Sequence, residues 1–227
     1  MTATLPRRLL ADRGGVAAVE FALVLPLMLI VYVGTCAVTS AVSASRSTTL
    51  LSRTVTDLVS QQQANTPLTD TSLRAMLAAA ATVMAPFPLA ALKVTVSNVE
   101  FVADPAATAT NSLDARTRWT VTFTGGNLRP CTDPHLTAAG NTDGPSPTSL
   151  PVGLYKAGFL IVADVSYTYT PSFGFFTYDA GSGQASGSPL TFSMGRTSYM
   201  RPRQTDNIRY APGQTASICP LVAAQGA

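Results

Sequence analysis

The chain has 227 residues, 46% of them hydrophobic and only 12% charged, which suits one ordinary domain plus an N-terminal segment and excludes disorder by composition. Its net charge of +3 is small and spread out, so it makes no case for a nucleic-acid partner. Three cysteines and one histidine leave little for metal, cofactor or nucleophile chemistry, and the sequence predicts no enzyme, no cofactor and no small-molecule substrate.

The first element is an apolar segment. Residues 21 to 45 carry no charge, and Arg7, Arg8 and Arg13 precede them against Asp12. As a helix, Phe21 to Val38 spans ~27 Å, close to the thickness of a bilayer core. The positive flank is N-terminal, so the N-terminus should stay cytoplasmic and the rest should be exported. A cleaved secretory signal fits less well: its apolar region runs about 7–15 residues, shorter than this one, although Ala41-Val42-Ser43-Ala44 imitates a cleavage site. Neither that reading nor a plain single-pass anchor explains Glu20. An acid at a helix centre in lipid costs ~2.5–3.5 kcal/mol on insertion scales, and less near the interface. Pro26 removes one helical hydrogen bond, which membrane helices tolerate.

Beyond Arg46 the helical period continues. Leu50, Leu51, Val55, Leu58 and Val59 share a face, with Arg53, Thr56, Asp57 and Gln61 on the others. No Gly or Pro falls between Ala37 and Asn65, so one helix is expected to leave the membrane and dock a folded domain on its outer half. Thr69 or Asp70 caps a second helix, with a stripe of Leu73, Met76, Leu77, Ala80, Ala81 and Met84, and Pro86 and Pro88 stop it. The period then changes to two. Strands are expected over Lys93–Val102, with a bulge near Ser97-Asn98, and over Arg116–Thr124, Phe159–Tyr169 and Pro189–Arg201. Loops are expected at Asp104–Asp114, Gly125–Pro151 and Pro171–Ser188, the last with Gly181-Ser182-Gly183 as a hairpin tip, since it lacks the Lys of a phosphate-binding loop. Asp164 is assigned to a solvent-facing side of its strand. The fold class is α+β: a long N-terminal transmembrane helix whose outer half packs, with a second helix, on an antiparallel sheet of about four strands.

The run Gly15-Val16-Ala17-Ala18-Val19-Glu20-Phe21 resembles the processing site of type IV prepilins. In that family a basic leader is cut on the cytoplasmic face directly after a glycine, and an acid lies at mature position five. Cleavage after Gly15 makes Val16 the first residue and Glu20 the fifth; cleavage after Gly14 does not. The family implies that the acid pairs with the terminal ammonium of a neighbouring subunit, which removes an expensive unpaired charge from an apolar bundle. The pair Glu20-Phe21, together with "LPVGLYKAGFLIVADVSYTYTPSFGFF" and "SPLTFSMGRTSYMRPR", is similar to the TadE-like minor pseudopilins of tight-adherence (Flp, type IVb) pilus systems. The pilin-like outline of helices and sheet agrees. The resemblance covers the first 45 residues and the strands from Leu150 to Arg203, not the loop from Arg129 to Ser149. It implies a leader at 1–15, a transmembrane helix at 16–45 and an extracytoplasmic domain at 46–227. It also implies a bacterial inner-membrane location with a periplasmic domain, a prepilin peptidase that removes the leader, and sibling pseudopilins and assembly machinery as partners. The competing reading is a single-pass membrane-anchored binding or adhesion domain outside any pilus system.

Cys36 behaves as a small hydrophobe in the apolar run. Cys131 and Cys219 are expected to pair in an oxidising periplasm, and closing so long a ring is worth ~4–5 kcal/mol in the chain-entropy model. His135 lies in a Pro/Gly-rich loop without partners for a metal or catalytic set. Two surface features leave alternatives open. Phe173, Phe175, Phe176 and Tyr178 form a partner patch or fold back over the sheet. Arg196, Arg201, Arg203 and Arg209 meet lipid headgroups, another pseudopilin or an acidic polymer, or else end a strand in solvent.

Overall fold

A computed structural model describes residues 16–64, 66–103, 113–131, 136–140, 144–171, 176–179, 184–189, 191–213 and 217–219. The chain divides into two compact units, one formed by Met1–Val42 with Pro171–Leu190 and the other by Ser43–Thr170 with Thr191–Ala227.

In the first unit, helix α1 (Val16–Ser60) begins, and it contains Pro26 without ending there. Its side chains from Val19 to Val42 are largely exposed; Leu23 is 75% exposed, and Phe21, Leu27, Met28, Ile30, Val31 and Tyr32 are similarly bare. Polar groups in this stretch are turned inward onto the helix: Thr35 Oγ1 donates to the Val31 carbonyl and Thr39 Oγ1 to the Thr35 carbonyl, both at 2.8 Å. The same unit holds a hairpin, β6 (Phe176–Asp179) antiparallel to β7 (Gln184–Pro189), with Tyr178 opposite Ala185 and Asp179 opposite Gln184. The segment expected to be loop from Pro171 to Ser188 therefore carries two strands.

The second unit is built on an antiparallel sheet. Its long strands are β1 (Leu92–Ala103), β2 (Leu113–Phe123), β5 (Gly158–Tyr169) and β8 (Phe192–Met200). A two-residue strand, β9 (Ser217–Ile218), extends it to the order β8-β5-β1-β2-β9. All four long strands lie where the two-residue period puts them, and the α+β architecture is the one expected. The fourth begins at Phe192 rather than Pro189, because Gln184–Pro189 is spent on the hairpin.

The bulge falls at the expected place but on the neighbouring strand. Asn98 pairs with Trp119 and Val99 with Thr117, so Arg118 on β2 is the extra residue. An extra residue reverses which side chains face which way. Trp119 and Val121 accordingly join one core, while Ala115, also odd-numbered, joins the core on the opposite face.

Both faces of the sheet are covered. On one side lie the outer part of α1 and the second helix α2 (Asp70–Ala81), and their core includes Leu51, Val55, Val59, Leu73, Met84, Val94, Val96, Trp119, Ile161 and Val165. Thr69 caps α2: its side chain accepts from Ser72 N–H, and the Ser72 hydroxyl returns the bond to the cap backbone. The buried stripe of α1 differs from the expected one. Leu50 is 53% exposed, whereas Thr48, Ser52, Thr56 and Ser60 are buried beside Leu51, Val55 and Val59. Small hydroxyl side chains are inexpensive to bury here because the helix satisfies them itself. Thr48 Oγ1 donates to the Ala44 carbonyl at 2.8 Å, Thr56 Oγ1 to the Ser52 carbonyl at 2.6 Å and Ser60 Oγ to the Asp57 carbonyl at 2.8 Å. Between helices and sheet runs the segment around Ile208. Its carbonyl accepts from Trp119 Nε1 at 2.7 Å and from Asn98 Nδ2 at 2.9 Å.

Leu51→Ala should destabilise the domain by ~2–5 kcal/mol through the cavity it leaves, and Leu50→Ala by no more than ~0.5 kcal/mol. Denaturant unfolding of the full chain in mild detergent, followed through Trp119 fluorescence, reads both. Equal losses at the two positions would contradict this placement of the buried stripe.

Candidate functional site

The residues that the sequence marks as a processing site fall around the first described residues of α1. Gly15 lies outside the described residues, and Val16 is the first helical residue. Glu20 and Phe21 follow on the exposed surface of the helix. Glu20 lies four positions after Val16, about one helical turn along α1. No Gly or Pro other than Pro26 and Gly34 interrupts the helix, and one helix is long and apolar enough to cross a membrane.

The second candidate region is the sheet face away from the helices. The described parts of a strap, residues 126–131, 136–140 and 144–154, contribute Leu136 and Leu150 to a core with Val99, Phe101, Ala115, Leu160 and Val162. Short parallel strands β3 (Thr137–Ala139) and β4 (Ser149–Pro151) stiffen the strap. Gly126 must be small, because a Cβ there would lie 2.3 Å from Thr95 Oγ1. Gly195 on β8 must be small for the same reason, since Pro145 sits directly over it. Tyr155 Oη donates to the Leu136 carbonyl at 2.8 Å, and burial, aided by Asp114, pushes its phenol up to about 12.

Two anchors hold the strap. The first is the disulfide Cys131–Cys219, which joins residues 88 apart at a Cα–Cα distance of 5.0 Å. Cys219 N–H also donates to the carbonyl of Arg118, the bulge residue, at 2.9 Å. The expected cysteine pairing is thus present, and Cys36 is free.

The second anchor overturns an expectation. Asp164 is 8% exposed rather than solvent-facing, and it pairs at 2.7 Å with Arg129, which is 2% exposed. Thr197 Oγ1 donates to the other carboxylate oxygen at 2.7 Å. The solvent assignment fails because the strap covers that face. Burial pushes the Asp164 carboxyl above its ordinary value, and the facing Arg129 guanidinium and the Thr197 hydroxyl offset only part of the shift. A signal for this existed in the sequence. Leu160-Ile161-Val162-Ala163-Asp164-Val165 is apolar at both parities, the mark of a strand covered on both faces. A carboxylate within such a strand requires a buried partner.

The expected arginine cluster is dispersed. Arg203 pairs with Asp57 at 2.9 Å, and Arg201 donates to the Lys156 and Ala157 carbonyls at 2.9 Å. Arg209 lines a polar hollow with Gln63, Thr66 and Asn207, and Arg196 lies against α1. Of the four aromatics proposed as a patch, Phe173 and Phe175 lie outside the described residues. Phe176 and Tyr178 lie on β6, where their backbones pair with Pro189 and Ala185 of β7. His135 also lies outside the described residues.

The architecture is therefore that of an α+β protein with one membrane-length apolar helix continuing into a sheet domain. The family model described as TadE-like protein matches residues 15–56, which makes this N-terminal helix TadE-like; the chain from 57 onward lies outside the matched segment. No curated protein and no solved structure matches the chain.

Removing one member of the buried ion pair should be costly and removing both should not. Arg129→Met or Asp164→Leu alone is expected to cost ~3–5 kcal/mol, and the double variant close to nothing. Because the folded carboxyl titrates above its ordinary value of 3.8, its contribution is present below that pH and is lost as pH rises through the raised value. Unfolding curves across this interval should slope downward for the native chain and lie flatter for the double variant; additive losses in the cycle would contradict the pairing.

Proposed function

We propose that this chain is a minor pseudopilin that helps to prime or assemble a tight-adherence pilus after a prepilin peptidase removes a leader ending at Gly15. The observation that carries the reading is the TadE-like match, which starts at Gly15 itself and runs through the apolar part of α1 into its domain-docked part. Cleavage there frees an ammonium at Val16, one turn from Glu20. In a bundle of such helices within lipid, the ammonium of one subunit neutralises the carboxylate of the next, and neither charge is left unpaired in an apolar medium.

In this reading the protein works by assembly rather than by catalysis. Its helix is held in the bacterial inner membrane with the N-terminus cytoplasmic, and its sheet domain stands in the periplasm, where the disulfide of Cys131 and Cys219 persists. Its partners are the peptidase, sibling pseudopilins and the pilus assembly machinery. The hairpin carrying Phe176 and Tyr178 is the surface proposed to meet a sibling subunit.

Intact mass of the membrane-extracted protein tests the proposal. A chain beginning at Val16, formed only when a prepilin peptidase is co-expressed, is the expected result. Gly15→Asp should abolish that trimming while leaving membrane insertion intact, and Glu20→Ala should be trimmed but impair piliation. A full-length product in the presence of active peptidase would favour a membrane-anchored binding domain outside any pilus system.

A further inference from the structure

The sheet domain has a positive groove with no carboxylate among its lining residues. It lies between α1 and the edge strand β8, is lined by Thr49, Ser52, Arg53, Arg196 and Thr197, and has a volume of about 290 Å³. Arg196 is laid across the seam: its Nε donates to Thr49 Oγ1 at 3.2 Å, Nη1 to the Gly195 carbonyl at 3.0 Å and Nη2 to Ser45 Oγ at 3.5 Å. A guanidinium has five N–H donors in a rigid fork. Three are spent on fixing its position, and two remain for an acceptor in the groove.

All three of these partners are neutral. Arg116, Arg118, Arg129 and Arg203 each face a carboxylate, but among the described residues none pairs with Arg196, Arg53 or Arg46. Arg46, Thr49 and Arg53 are spaced three and four apart, so they share one face of α1, and both arginines are exposed. A half-buried, pre-positioned arginine flanked by two free ones is chemistry suited to a phosphate oxyanion. Arg46 is also the first charge after the uncharged residues 21–45, which sets the groove within a few helical turns of the apolar segment.

We propose that this groove binds the phosphate of an anionic phospholipid headgroup, with Arg196 as the fixed donor and Arg53 and Arg46 as flanking cations. The lipid source rests on α1 being a membrane anchor; the phosphate chemistry does not. Binding orients the sheet domain by holding the β8 edge toward the headgroups.

The test uses the full chain in neutral detergent, so neither bilayer insertion nor leader processing enters the result. Native mass spectrometry follows retention of dioleoylphosphatidylglycerol, dioleoylphosphatidylcholine and inorganic phosphate in separate titrations. Preferential retention of phosphatidylglycerol is expected. Arg53→Gln should weaken it about tenfold, the worth of one charge-assisted hydrogen bond, and Arg53→Gln with Arg196→Gln should weaken it further. Arg201→Gln should change nothing, because Arg201 is spent on the Lys156 and Ala157 carbonyls. Trp119 fluorescence verifies folding, and should the double variant fail to fold, the exposed Arg53→Gln decides alone. Undiminished phosphatidylglycerol retention in a folded variant overturns the site. Variant-sensitive binding of inorganic phosphate without lipid retention overturns the lipid assignment.

Discussion

A single helix has to satisfy two solvents, and the rest of the molecule follows from how it does so. Up to Val42 the helix α1 is apolar around its whole circumference and exposed. A surface of that kind in water would carry a penalty of ~25 cal/mol for every Å², so the segment requires lipid or other apolar helices around it. From Ala44 onward the same helix becomes two-faced: Leu51, Val55 and Val59 enter the core while Arg46 and Arg53 stay outside. From Ala44 to Val59 the helix is part of the sheet domain's own core, held there by side-chain packing.

The sheet answers a second constraint. Its central strands are apolar on both sides, and each side needs a cover. The helices supply one, and the described parts of the strap, through Leu136 and Leu150, supply the other. The regular structure described in the strap is short, strands β3 and β4 and a 3-10 turn at Val152–Leu154 being three residues each, so it has little intrinsic stability. It is held instead by a covalent bond at Cys131–Cys219 and by the Arg129–Asp164 pair. Close geometry offsets part of the cost of burying two charges, with Thr197 donating to the second carboxylate oxygen.

Legibility in the sequence tracked how local the cause was. The long helix, the Thr69 cap, the four main strands and the approximate bulge position all follow from short-range patterns, and each is where those patterns put it. The errors arose where a distant segment decides. Leu50 looks like core by hydrophobicity, yet the docking angle of α1 selects the stripe of Thr48, Ser52 and Thr56, whose polarity hides their burial. Asp164 looks like a surface residue until Arg129, in a loop with no recognisable pattern, closes over it. The arginines near the C-terminus form a cluster in sequence only; β8 and the segment after it turn Arg196, Arg201 and Arg203 toward different partners, and Arg209 lines a separate hollow. The TadE-like character of residues 15–56 was legible because it lies in a linear pattern of the chain, independent of any tertiary contact.

The most direct test of the central claim is the environment of α1 itself. With Cys131 and Cys219 bonded, Cys36 is the native free thiol, and it lies in the apolar half of the helix. A membrane-impermeant maleimide applied to spheroplasts should leave Cys36 unmodified and should label an Arg53→Cys variant rapidly, with Cys36 reacting only after denaturation in detergent. Modification of Cys36 in intact spheroplasts at the rate seen for position 53 would show that the apolar half stands in water, and would contradict the account.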